Sequence, residues 1–189
     1  TPNSDAHPEN EKKINVGFIT AKSIAGDIDA RNIVVAGVST FIGASSFTVD
    51  MTVNNVNFGK GASDNTGNTV VGETALDAVT TGTDNTAVGY QAMTDSTTGA
   101  ENNAFGSVAL GNNTTGSKNN AFGKQSLEDN TTGSNNTAFG HDVLRNNTTA
   151  SNNTGVGYLA LAANTTGTQN TGLGVNSGNA QTTADNCTW

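Results

Sequence analysis

The chain has 189 residues and a formal net charge of −8, and Thr, Asn and Gly fill 81 positions, about 43% of it, whereas only 33% are hydrophobic and 5% aromatic. So small a stock of large apolar side chains excludes an ordinary single-cored enzyme, in which apolar burial offsets chain entropy. With 16 acidic against 8 basic residues, the surface also lacks the positive charge that nucleic-acid phosphates require.

Residues 1–13 are polar, contain both prolines (Pro2 and Pro8), and read as a lead-in or linker. The most apolar stretch, Ile33 to Ile42, is interrupted by Gly37, Ser39 and Thr40. It predicts neither a membrane-spanning helix nor a signal-peptide core. Residues 14–61 read as a shaft of short β-strands. Ile14, Val16 and Phe18 alternate with other residues, and Phe47, Val49, Met51 and Val53 alternate with Thr48, Asp50 and Thr52. That period of two is the mark of a half-buried strand. The phase breaks at Asn54-Asn55, before Val56 and Phe58, and a shorter echo relates Ile19–Ile24 to Ile28–Ile33.

Residues 62–182 carry seven copies of a 17-residue repeat. Glycines 72, 89, 106, 123, 140, 157 and 174 mark it without an insertion, and Asn68, Asn85, Asn102, Asn119, Asn136, Asn153 and Asn170 stand four positions before them. Just before each glycine stands Val71, Val88, Phe105, Phe122, Phe139, Val156 or Leu173; four positions after it come Leu76, Met93, Leu110, Leu127, Leu144 and Leu161, and then Gly178. A unit this short and this constant in length is one coil of a stack. The N-T-A-F-G part predicts a strand, N-N-T-T-G predicts a turn, and the x-x-A-L part is left open between a turn and a single helical turn. No Asn-Gly or Asp-Gly dipeptide occurs, so the strongest signal for tight two-residue hairpins is missing and a solenoid or roll is favoured over a meander. The fold class is therefore all-β, a repetitive β-solenoid or β-roll rod about 34 Å long at the inter-strand spacing of about 4.8 Å. Its asparagines are expected to form a ladder of stacked side-chain amides.

Each coil offers only two large apolar side chains to offset the ordering of its whole length. One apolar column is thus expected to fill the coil, and the other to face identical chains around an axis, as a homotrimer. Residues 183–189 are expected to open a further unit, out of register, at Asn186, or to be a truncated end. A downstream domain is expected to have been removed or left out. Cys187 is the single cysteine, which excludes an intrachain disulfide or a multi-cysteine metal site.

Catalytic chemistry needs converging groups, and the repeat supplies none. His7 lies in the lead-in. His141 shares its repeat position with Glu73, Tyr90, Ser107, Lys124, Tyr158 and Val175, a variability that predicts an outward, solvated site. Asp142 beside it does not complete a metal site. No catalytic, cofactor-binding or metal-ligating residue is assigned, and the chain is expected not to be an enzyme. The sequons at Asn113 and Asn130 arise from the repeat itself. The T-G-[ST] element, as at Thr115-Gly116-Ser117, Thr132-Gly133-Ser134 and Thr166-Gly167-Thr168, has two readings: exposed hydroxyl columns, as on ice-binding surfaces, or hydroxyls that bond backbone in a turn.

The stretch Asn85-Thr86-Ala87-Val88-Gly89-Tyr90-Gln91-Ala92-Met93 and the stretch Asn136-Thr137-Ala138-Phe139-Gly140, joined by N-N-T-T-G-[ST] spacers, resemble the repeats of phage tail-fibre-like proteins. The lead-in Val56-Asn57-Phe58-Gly59-Lys60-Gly61 is similar to segments that enter such arrays, and Val38-Ser39-Thr40-Phe41 is similar to marine phage structural proteins. A more distant likeness is to the β-roll heads of trimeric autotransporter adhesins. The resemblance covers the repeats, the larger part of the chain, and more weakly what precedes them. It implies a trimeric virion fibre, often followed by an intramolecular chaperone that is cut off; no such domain lies within these 189 residues. It also implies a spacer and host-attachment rod at the virion surface, joined to other virion proteins at its N-terminal end, with no membrane insertion and a host receptor as partner. No receptor-binding residue is singled out. The alternatives are a bacterial surface adhesin or filament and an ice-binding-type surface protein.

Overall fold

The computed structural model describes residues 51–63 and 65–189. The expectations for residues 1–50, the first part of the shaft among them, lie outside these. The described residues contain no helix and form one nine-stranded sheet in chain order. It begins with β1 (Met51–Val53) and β2 (Val56–Gly59), antiparallel to each other, and β2 pairs antiparallel with β3 (Thr69–Gly72). From β3 onward the strands are parallel: β4 (Thr86–Val88), β5 (Asn103–Phe105), β6 (Asn120–Phe122), β7 (Thr137–Phe139), β8 (Thr154–Val156) and β9 (Thr171–Leu173). Every parallel partner lies one full repeat on, as Ala104 pairs with Ala121. The molecule is thus a β-solenoid with one short strand per coil.

Residues of a coil are numbered below from its asparagine, position 1. Backbone hydrogen bonds between coils continue outside the strand, for example from Leu110 N–H to Ser126 O (3.0 Å) at position 9 and from Thr114 N–H to Thr131 O (2.9 Å) at position 13. Because the ladder runs around much of the coil, adding a residue to one copy would break the pairing with its neighbours. This accounts for the absence of insertions.

Within a strand the side chains alternate. Asn at position 1 and Ala at position 3 point inward, whereas Thr or Asn at position 2 and Val, Phe or Leu at position 4 point out. Facing the small Ala column across the coil are Leu76, Met93, Leu110, Leu127, Leu144 and Leu161 at position 9, all fully buried. Of the two apolar columns, the leucines fill the coil. The interior is one leucine wide, and from the second coil on the strand contributes no more than a methyl group at position 3, Val70 filling it in the first.

Two compensations follow from that narrow interior. Val143 stands at position 8 where other coils have Ala or Ser, and the strand residue packed against it is Gly155; a Cβ there would lie 2.5 Å from Val143 Cγ1. In the last full coil Gly178 takes the leucine position, and the Trp189 indole lies where its side chain would be, with Cε3 2.7 Å from a Cβ placed on Gly178. Thr188 bridges Thr171, and Cys187 N–H donates to Asn170 Oδ1 (3.0 Å). The tail 187–189 therefore continues the stack in register, with Cys187 in the asparagine column. The out-of-register start at Asn186 is corrected.

The asparagines at position 1 do two jobs. Asn119 Nδ2 donates across the coil to the Gly133 carbonyl (2.8 Å), tying strand to turn, and its Oδ1 accepts the backbone N–H of Asn136 in the next coil (3.0 Å). Asn68, Asn85, Asn102, Asn136 and Asn153 repeat both contacts. The expected amide-to-amide ladder is secondary here, present only as 3.2 Å contacts from Asn102 to Asn85 and from Asn136 to Asn119. It forms instead at position 12, where Asn130, Asn147 and Asn164 each donate to the asparagine one coil before at 2.8, 3.0 and 3.0 Å.

Where the sequence left a single helical turn open, the chain makes left-handed bends. Positions 7, 9 and 17 have positive φ in coil after coil, as at Gln125 (57°), Leu127 (52°) and Asn135 (60°). Left-handed backbone costs a non-glycine residue roughly 1–2 kcal/mol, offset here by leucine burial and the inter-coil ladder. Val108, β-branched at φ 60°, fits worst. Val108→Asn is expected to raise stability by about 0.5 kcal/mol, read from the urea midpoint; a lowered midpoint would show that its half-buried methyls matter more than its backbone. One tight hairpin forms without Asn-Gly or Asp-Gly: Asn54 and Asn55, with φ 48° and 65°, make the two-residue turn between β1 and β2.

Candidate functional surface

Because leucine, alanine and asparagine fill the interior, chemistry is available only on the outer walls. The strand wall carries the other apolar column. Phe58 pairs with Val71, and the line continues through Val88, Phe105, Phe122, Phe139, Val156 and Leu173. Its members are half-buried to exposed, with Phe139 at 51% and Leu173 at 70%. The central rings stack, Phe105 on Phe122 with centroids 4.8 Å apart and 7° between planes, and Phe122 on Phe139 at 4.5 Å and 18°. Beside this line runs position 6, which faces outward as its variability predicts, with Tyr90 and Tyr158 half exposed.

His141 stands in that column. Its Nδ1 is 2.8 Å from Asp142 Oδ2, while Arg145 Nε is 2.8 Å from Glu128 Oε2 and 3.8 Å from Asp142 Oδ1. The hydrogen bond to Glu128 holds the Arg145 guanidinium above its ordinary pKa. The result is a surface chain of polar contacts across two coils; among the described residues no three His, Cys, Asp or Glu converge as metal ligands would. Single-sequence reading missed the link to Arg145 and Glu128, although these two stand one repeat apart and therefore in one column.

The turn wall divides the T-G-[ST] element, positions 14 to 16, between its two readings, with the threonine before it at position 13 joining the backbone side. At position 13 the hydroxyls of Thr97, Thr114 and Thr131 donate to the carbonyl of the next threonine in the column at 3.0 Å each. At position 16 the oxygens of Ser117, Ser134 and Ser151 accept backbone N–H groups from the preceding coil at 3.1, 3.0 and 2.9 Å. Hydroxyls in these two columns thus serve the backbone, and position 14, from Thr81 to Thr183, supplies the exposed threonine column. Gly99, Gly116, Gly133 and Gly167 lie in this turn in close approach to the backbone of the next coil and have no positive φ; Ala150 takes the same place in one coil. The sequon asparagines Asn113 and Asn130 are fully buried in the second ladder.

Asp185 extends the serine column, its Oδ1 accepting from Thr168 N–H (2.6 Å) and Oγ1 (3.0 Å). These bonds, the backbone one foremost, hold its carboxyl below the usual 3.8. With the folded value lowered, the contact is intact above the usual value and is lost as pH falls through the folded one. The Thr168 amide resonance is accordingly expected to titrate with a midpoint below 3.8, and in Asp185→Asn to show no such step. A wild-type midpoint at or above the usual value would contradict the contact.

No protein-family profile, curated protein or solved structure matches the chain.

Proposed function

We propose that the chain is a structural rod: a non-enzymatic segment of a virion fibre, tail fibre or related appendage, homotrimeric, acting as spacer and host-attachment rod at the virion surface. Other virion proteins join it at its N-terminal end, and a cell-surface receptor is met by its outward side chains. The observation that carries this reading is the uninterrupted stack. Seven coils repeat the same strand pairing and six the same filled interior, so sequence variation is confined largely to the outside, as at position 6 from Glu73 to Val175. Such a rod sets a distance and presents repeated contacts, and three identical chains would add weak contacts through effective concentration.

Antibody against the purified chain is expected to decorate fibres on isolated virions, and light scattering to give three times the 19.1 kDa chain mass. Labelling of bacterial cells with bare virions would move the rod to a cellular adhesin. A stable 19.1 kDa monomer would remove the trimer.

A further inference from the structure

The strand wall has the features of a seam between copies of this chain. We infer that the position 4 column, Val71 to Leu173 with the Phe105-Phe122-Phe139 belt at its centre, faces the axis of a parallel assembly. There each residue meets its own copies at the same height. This rests on the homotrimer proposed above, since three identical chains in closed symmetry share one direction and one register.

Four observations support it. First, the centre of the wall is free of charge: positions 2 and 4 hold no Asp, Glu, Lys or Arg in any coil, whereas position 6 on its flank carries Glu73 and Lys124, and Asp77, Asp95, Glu128 and Asp129 stand at positions 10 and 11. An uncharged centre with aromatic side chains is the composition of an interface core. Second, the rings point away from the solenoid interior, which is already closed by Leu110, Leu127 and Leu144, so they take no part in filling it. Third, the size is adequate. Seven coils at about 4.8 Å, with outward positions 2, 4 and 6 spanning about 13 Å, give on the order of 450 Å² in projection. That lies within the range of the largest patches on monomers, which are often functional, and becomes commensurate with a standard interface of roughly 800 Å² per partner once side-chain relief is included. Fourth, the stacking selects the kind of partner. Both faces of Phe122 are covered by Phe105 and Phe139, so the belt presents ring edges. A sugar ring needs an open aromatic face to lie on, whereas ring edges from neighbouring copies pack edge to face.

The test uses the full chain in three forms. Wild type is sized by light scattering. Phe122→Glu places carboxylates in the seam without touching the coil interior, and is expected to lower the mass threefold while the circular dichroism spectrum and its thermal transition persist. In the third, Phe105→Cys is combined with Cys187→Ser and oxidised. About two thirds of the chains are expected as disulfide-linked pairs, because of three thiols around one axis two can join. A wild-type monomer would overturn the seam together with the homotrimer. A wild-type oligomer that keeps its mass in Phe122→Glu and gives no cross-link at residue 105 would overturn the seam alone. Cross-linking only when Phe105→Cys is mixed with Phe139→Cys would show antiparallel pairing about coil four, which also overturns it.

Discussion

Asn119→Ala is expected to lower the stability of the rod by about 3 kcal/mol, measured by urea unfolding. The substitution strips the Asn136 N–H of its acceptor and the Gly133 carbonyl of one of its two donors, since Asn130 still reaches that carbonyl at 3.0 Å. A buried donor left without a partner costs about 1–3 kcal/mol, and a lost hydrogen bond adds about 1. Asn119→Asp separates the two jobs of the side chain. It keeps an acceptor for Asn136 but turns an oxygen toward the Gly133 carbonyl and buries a charge, so it should cost more than Ala at neutral pH. Burial raises the folded-state pKa of such a carboxyl. With the folded value raised above the unfolded one, the loss should shrink as pH falls, because the protonated carboxyl can donate again. If Asn119→Ala changed stability by less than about 1 kcal/mol, water would have to satisfy these groups, and the tie between strand and turn would not be needed.

Gly106→Ala carries the other large effect, expected at about 3 kcal/mol or more by the same measurement, with loss of cooperative unfolding if neighbouring coils separate. At φ +144° the backbone is in a region that L side chains rarely adopt, and the new Cβ would lie 2.5 Å from the Gly123 carbonyl oxygen and 2.6 Å from its carbon. Both atoms belong to the backbone of the next coil, which is fixed by its own ladder, so relief requires the stack to open. The turn column offers the control. Ala150 already occupies position 15 there, so Gly133→Ala should be milder. Equal costs at the two positions would mean that close approach alone, and not φ, sets the requirement.

These two positions were also the most legible part of the sequence. Gly at position 5 and Asn at position 1 recur without exception through Gly174 and Asn170, and a constant period with no insertion fixes a stack before any strand is assigned. What the asparagines bond to was less legible. Stacked amides are the simplest ladder, but a side chain that points inward between strand and turn finds backbone groups on both sides, and these win at position 1. The true amide ladder at position 12 was hidden because the first two coils carry Val79 and Ser96 there. Which apolar column fills the coil could have been read from alternation: a buried Asn at position 1 and a small Ala at position 3 put position 4 outside. The left-handed bends at Leu110 and Leu127 had no local signal, because leucine does not favour that backbone; only burial and inter-coil bonds hold it there. The Asn54-Asn55 turn did carry a signal, since asparagine tolerates positive φ, but a search for Asn-Gly alone passes over it.

The pairing of Val143 with Gly155 limits where the rod can be lengthened or shortened. A chain whose coils were interchangeable could be lengthened or shortened by whole repeats anywhere, each changing its reach by about 4.8 Å while every outward column stays in line. Excising residues 119–135 would do this cleanly, because the coils on either side share Phe at position 4, Leu at position 9, Asn at position 12 and Ser at position 16. Excising residues 136–152 would not: it removes Val143 and leaves Gly155 facing a neighbour with Ser126 at that position, short of the methyl groups that filled the gap. The rod is thus a ruler graduated in single coils along most of its length, with one mark that can be erased only together with its neighbour.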